Sequence, residues 1–138
     1  MNSWLYFIAV IVAVLINKLI KLVIAVSRRE DFSIRIFTRS GDMPSSHSAV
    51  VVAVSSMVGL LNGFDSAVFA ISACFSTLVL YDAMTLRLSS GEQGLALNKI
   101  LARTRQGGVD VSMGHEPAEV YMGAAIGLFS ALVIFWLT

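Results

Sequence analysis

Residues 4–26 are predominantly apolar, and the stretch is long enough to cross a hydrocarbon core of about 30 Å as one helix. No other feature restricts the fold so much, because a segment of this kind is costly to leave in water. Trp4 and Tyr6 at its start suit the aromatic belt of a membrane interface. Lys18 and Lys21 fall in its last turns, where long side chains can snorkel or face an aqueous pocket. No positive charge precedes the run and its basic residues follow at the far end, so it reads as a retained span, not a cleaved signal peptide.

The rest of the chain repeats the theme. Of 138 residues, 57% are hydrophobic and 14% charged, and the mean hydropathy is +0.79, too apolar for a soluble domain of this size. Further spans are expected at residues 44–61, 66–86 and 116–137. The expected fold is therefore an all-α integral membrane bundle of four transmembrane helices with short interfacial or surface helices, in one domain over residues 1–138. Residues 27–42 are polar and mixed, and Phe32, Ile34, Ile36 and Phe37 suggest that they lie along the interface. Asn62-Gly63-Phe64-Asp65 signals a tight turn. In the polar stretch 88–114, Leu95, Leu97, Ile100 and Leu101 predict a short surface helix over about 92–104, ended by Gly107-Gly108. Gly123-x-x-x-Gly127 offers a close helix–helix contact in the last span.

Orientation follows from charge. All ten Lys and Arg fall within 18–39 and 87–105, on one side of a four-span protein, whereas the opposite loop carries Asp65. The positive-inside rule puts both basic windows in the cytoplasm and both termini outside an inner (cytoplasmic) membrane.

With that topology, polar residues far apart in sequence meet at one membrane face. These are Lys18 and Lys21 at the end of the first span, His47 at the start of the second, Asp82 and Arg87 at the end of the third, and His115 and Glu119 at the start of the fourth. Ionisable groups inside a span are costly, and several on one face are most simply explained by a polar pocket. Gly41-Asp42-Met43-Pro44-Ser45-Ser46-His47-Ser48 is the most informative stretch. Pro44 suits a first helical turn, the first-turn amides lack intrahelical partners, and such a terminus attracts phosphate. An ordinary Ser-capped helix would carry the same residues. In Gly114-His115-Glu116-Pro117-Ala118-Glu119, His115 and Glu119 stand four apart, so a carboxylate can orient the imidazole. Two histidines at two helix starts on one face suit nucleophilic attack by one and leaving-group protonation by the other. Lys21, Arg28 and Arg87, with Arg39 able to join them, would supply positive charge for phosphoryl transfer. Arg29, Arg35, Lys99, Arg103 and Arg105 read as topology-setting residues. Cys74 is the single cysteine, so no intrachain disulfide or cysteine metal cluster is expected.

Pro44-Ser45-Ser46-His47 resembles the Pro-Ser-Gly-His motif of the type 2 phosphatidic acid phosphatases, the PAP2 superfamily that also holds the vanadium haloperoxidases. Lys21-x6-Arg28 is similar to its first motif, Lys-x6-Arg-Pro, and His115-x3-Glu119 to the end of its third, Ser-Arg-x5-His-x3-Asp. Nearly the whole chain resembles the small divergent PAP2 group, through Asp42–Ser48, Tyr81–Arg87, Gly91–Asn98 and Gly114–Val120. The resemblance implies His115 as nucleophile, Glu119 as its orienting acid and His47 as general acid. It also implies Ser45 and Ser46 as phosphate holders, with Lys21 and Arg28 as first-motif cations. The sequence departs from the superfamily pattern at Ser46 (for Gly), Arg29 (for Pro) and Glu119 (for Asp). Gly108 and Val109 stand where Ser-Arg would, leaving Arg87, or else Arg105, to supply a guanidinium. Asp82, Lys18 and Arg39 are supporting residues.

The function expected is a metal-independent lipid phosphate phosphatase, hydrolysing a phosphomonoester or diphosphate through a phosphohistidine. The alternative is a non-catalytic lipid-phosphate binder or carrier. Asp82-Ala83-x3-Arg87-x3-Gly91 also suggests a CDP-alcohol phosphotransferase, but residues 92–109 lack the further aspartates which that signature needs. No cofactor, metal or nucleic-acid partner is expected; the partners are the lipid phosphate substrate, membrane lipids and a second copy of the chain, since a homodimer could complete a pocket enclosed by only four spans.

Overall fold

The structure, a computed structural model, describes residues 3–27, 44–103, 107–108 and 117–138. Five helices follow one another among these residues: α1 (Trp4–Ser27), α2 (Ser46–Asn62), α3 (Ala67–Met84), α4 (Leu86–Arg103) and α5 (Pro117–Leu137). The described residues contain no strand.

Burial is arranged for a lipid solvent. The inward stripe of α1 is Leu5, Ala9, Ala13, Asn17, Lys21 and Ala25, whereas Phe7, Ile11, Leu15, Leu19 and Val23 face outward. Water would favour the reverse, large side chains inside and small or polar ones out. In a membrane, lipid tails solvate Leu and Phe as well as a core does, and small residues at interfaces let backbones approach closely. The core shows this directly: Ala13, Ala49, Ala53 and Ile126 form one buried cluster, and Ala9, Met57 and Ala131 another.

α2 is the hub, packed against α1, α3 and α5. Tyr6 meets Asn62 and Asn17 meets Ser46, so α1 and α2 run antiparallel. α3 is antiparallel to α2 as well, with the Ser76 hydroxyl donating to the Val51 carbonyl at 2.9 Å. α5 runs parallel to α2 in close backbone contact. A Cβ at Gly123 would collide with the Ser45 carbonyl, and one at Gly127 with the Ala49 carbonyl. The Gly-x-x-x-Gly spacing therefore serves contact within the chain, between α5 and α2.

Three helices, α1, α3 and α5, are long and apolar enough to cross a membrane. α2, expected as a span over 44–61, is apolar but has only 17 residues. Its ends are sharply defined. Ser45 caps the start, accepting from the Ser48 amide, and Gly63 ends it at φ 90°, a conformation that suits glycine. Ser66 then caps α3.

The other difference from the sequence expectation lies after α3. Instead of a polar stretch with a helix from residue 92, α4 begins at Leu86, directly after Thr85. Thr85 ends α3 with its N–H directed at the Tyr81 and Asp82 carbonyls and its hydroxyl on the Tyr81 carbonyl at 2.7 Å. No proline follows, so a new helix can start at once. α4 packs only on α3 among the described helices and leaves Leu95, Leu97 and Ile100 exposed.

Candidate functional site

The antiparallel and parallel packing of α2 brings three chain segments together at its N-terminus: the second half of α1, the start of α2 and the first turn of α5. Pro44, Ser45 and Ser48 are fully buried there. The Ser45 hydroxyl oxygen accepts from the Ser48 hydroxyl at 2.9 Å and from the Ser48 amide at 3.4 Å. The Ser45 N–H donates to the Glu119 carbonyl at 3.1 Å, tying the mouth of α2 to the first turn of α5. Proline at 44 and serine at 45 allow this: proline ends the preceding chain without needing a hydrogen-bond acceptor, and serine caps the helix from a β-region backbone. The Glu119 side chain is itself buried.

α1 closes the other side. The Ser46 hydroxyl donates to Asn17 Oδ1 at 2.9 Å. Asn17 is 0% exposed, and its Nδ2 is a buried nitrogen without a hydrogen-bond partner among the described residues. An unmet buried donor of this kind costs about 1–3 kcal/mol. One turn further along the same stripe, Lys21 is also buried.

His47 takes a different direction. Two residues beyond Ser45, it lies on another face of α2, exposed, in a groove of about 340 Å³ with Ser46, Val50, Val51, Phe75 and Val79. Ser46 borders both sides, bonded to Asn17 and lining the groove.

Of the residues expected at a site, the structure thus gathers Lys21, Ser45, Ser46 and Glu119 at the mouth of α2 and sets His47 on the flank facing α3. Lys18 is exposed, and Asp82 is half-buried near the end of α3. Arg87 falls in the first turn of α4, with its side chain outside what is described; Arg28, Arg39 and His115 lie outside the described residues, as does Arg105. One residue of the mouth was not among the expected site residues, Asn17. Asn17 had a signal: a polar amide within an apolar span is by default a functional hypothesis.

The mouth can hold an anion. Hydroxyls and first-turn amides lie there, the buried Lys21 stands one turn along α1 from Asn17, and a helix N-terminus carries partial positive charge. Among the described residues no group of three or more His, Cys, Asp or Glu could hold a metal ion.

Comparison with known proteins identifies the family. Residues 2–130 match the family model described as the Divergent PAP2 family. An uncharacterized membrane protein of Bacillus subtilis (strain 168), YuiD, is 36% identical over 126 residues, covering 79% of this chain and 78% of the relative. No solved structure matches the chain. With the family model spanning nearly the whole sequence and a membrane protein as relative, the chain belongs to the divergent PAP2 family and is a membrane protein.

Proposed function

We propose that the chain is a lipid phosphate phosphatase with its site at the mouth of α2. The observation that carries this is the bond from the Ser45 amide to the Glu119 carbonyl. It joins the Pro-Ser-Ser-His block to the helix turn that follows His115, which supports reading the phosphate donors and the His115–Glu119 pair as one site. His115 attacks phosphorus, forming a P–N bond as the P–O bond to the lipid alkoxide breaks, and His47 protonates the departing oxygen. Water then cleaves the P–N bond and releases phosphate. Glu119 orients His115, while Lys21, Arg28, Arg87 and the α2 terminus stabilise the equatorial oxygens, a field that serves without a metal. The apolar groove beside His47 suits the first methylenes of the lipid chain.

We further propose that α2 is the fourth span. α1 and α3 run in the same sense, so if both cross, the chain must return between them. α2 runs antiparallel to both and lies between them and α5. At about 1.5 Å per residue its 17 residues cover about 25 Å, close to the thickness of a hydrocarbon core. The basic windows then face the cytoplasm with both termini outside, and a homodimer encloses the site.

Gly108 and Val109, in place of the superfamily's Ser-Arg, favour a second reading, a lipid-phosphate binder or carrier without turnover. Phosphate release from a panel of lipid phosphates in detergent with EDTA separates the two. The phosphatase gives EDTA-resistant turnover that His115→Ala and His47→Ala abolish. The carrier gives binding that survives His115→Ala and no release from any lipid.

A further inference from the structure

Asn17 presents one carboxamide with two different fates. Its Oδ1 accepts from the Ser46 hydroxyl at 2.9 Å, which fixes the group against the first turn of α2. Its Nδ2, on the same carboxamide and so at the same helix mouth, is buried without a partner among the described residues. Protein interiors pair nearly all such groups, with protein, water or ligand. An amide nitrogen offers two N–H donors and no acceptor, so the partner must be an acceptor.

The surroundings specify its charge. The first-turn amides of α2 and the buried Ser45 and Ser48 hydroxyls lie at this mouth, and Lys21 is one turn along the buried stripe of α1. An acceptor at a helix N-terminus, one turn from an ammonium, is favoured as an anion. We propose that Asn17 is a phosphate ligand, its Nδ2 donating to a non-bridging oxygen of the phosphate held at the mouth of α2, an assignment resting on the phosphate chemistry proposed above. Ser46 is then a positioning residue, holding Oδ1 so that Nδ2 turns toward the anion. The donor adds no charge, and it binds through α1, an element outside the Pro-Ser-Ser-His block.

The full chain labelled with nitrogen-15 at asparagine tests this, through the side-chain amide pairs of Asn2, Asn17, Asn62 and Asn98. Asn2→Gln, Asn62→Gln and Asn98→Gln assign the Asn17 pair by subtraction, without altering the mouth. The protein in detergent is titrated with inorganic phosphate, with a short-chain phosphatidic acid and with the matching diacylglycerol. The expected result is a saturable downfield shift of the Asn17 pair with phosphatidic acid, none with diacylglycerol, and a stationary Asn62 pair. A shift with inorganic phosphate as well identifies the phosphate group alone as sufficient; a shift only with phosphatidic acid identifies the lipid headgroup. Either supports the assignment. Asn17→Leu weakens phosphatidic acid binding about 10–100-fold, as loss of a hydrogen bond to a charged group does. If it fails to fold, the wild-type resonance still decides. Saturable binding with the Asn17 pair unmoved overturns the role of Asn17 and leaves the phosphate site standing. No binding of either phosphate probe overturns both.

Discussion

Two asparagines join α1 to α2, one at each end, and they do so differently. At the far end Asn62 Nδ2 donates to the Tyr6 hydroxyl at 2.6 Å and to the Val58 carbonyl at 3.2 Å, in a half-buried position. At the mouth Asn17 is fully buried, bonded through its oxygen to Ser46 and unmatched at its nitrogen. The first is a polar staple whose donor is satisfied by the chain itself. The second has the unmet donor that is expected of a group awaiting a ligand. The same residue type, on the same helix pair, thus distinguishes an end that stabilises the bundle from the end proposed to bind phosphate.

The comparison can be broken or sharpened by substitution. The largest effect belongs to His115→Ala, which is expected to lower phosphate release at least about 10³-fold, as removal of a nucleophile does, with little change in melting temperature. Initial-rate assays and a thermal melt of the same preparation check both halves. Glu119→Gln, which keeps the shape but removes the orienting charge, is expected to cost about 10²-fold in turnover, read in the same assay. Next come the glycines of α5. A methyl at Gly127 must displace the Ala49 carbonyl, so Gly127→Ala is expected to destabilise by about 1–3 kcal/mol, measured by denaturation in mixed micelles.

The two asparagines themselves should give opposite results. Asn62→Leu is expected to lose about 1 kcal/mol of stability while turnover stays at the wild-type level. Asn17→Leu removes an unmet buried donor along with its bond to Ser46, so its stability should change by less than about 1 kcal/mol while lipid-phosphate affinity falls. Equal stability losses from both variants, with affinity intact in both, would make Asn17 a second staple and erase the distinction.

Much of this molecule is legible in the sequence, and the illegible part has a physical cause. Apolar runs bounded by Pro44 and Gly63 mark where helices stand, because length and breakers act locally. The Pro-Ser-Ser-His and Gly-His-x-Pro-x-Glu blocks point to the family for the same reason. Which face of each helix turns inward is harder to read. In lipid the helices are apolar nearly all round, so the amphipathic pattern that orients a helix in water is faint. The direction of His47 toward α3 and the burial of Asn17 against α2 both depend on how the helices pack. That is a tertiary fact which spacing along α1 or α2 does not contain. The Gly123-x-x-x-Gly127 spacing shows a close contact but leaves its partner open. The early start of α4 was hidden because a polar run resembles a loop until its neighbour is known.

The central claim is that a phosphoryl group bound at the mouth of α2 passes through His115. Its most direct test is to quench turnover of a phosphorus-labelled lipid phosphate in alkali, in the presence of EDTA, and map the label by mass spectrometry. The account expects an acid-labile, alkali-stable phosphoryl adduct on His115 in the wild type, accumulating before steady state and absent from His115→Ala. Turnover without an adduct, or an adduct on another residue, would contradict it.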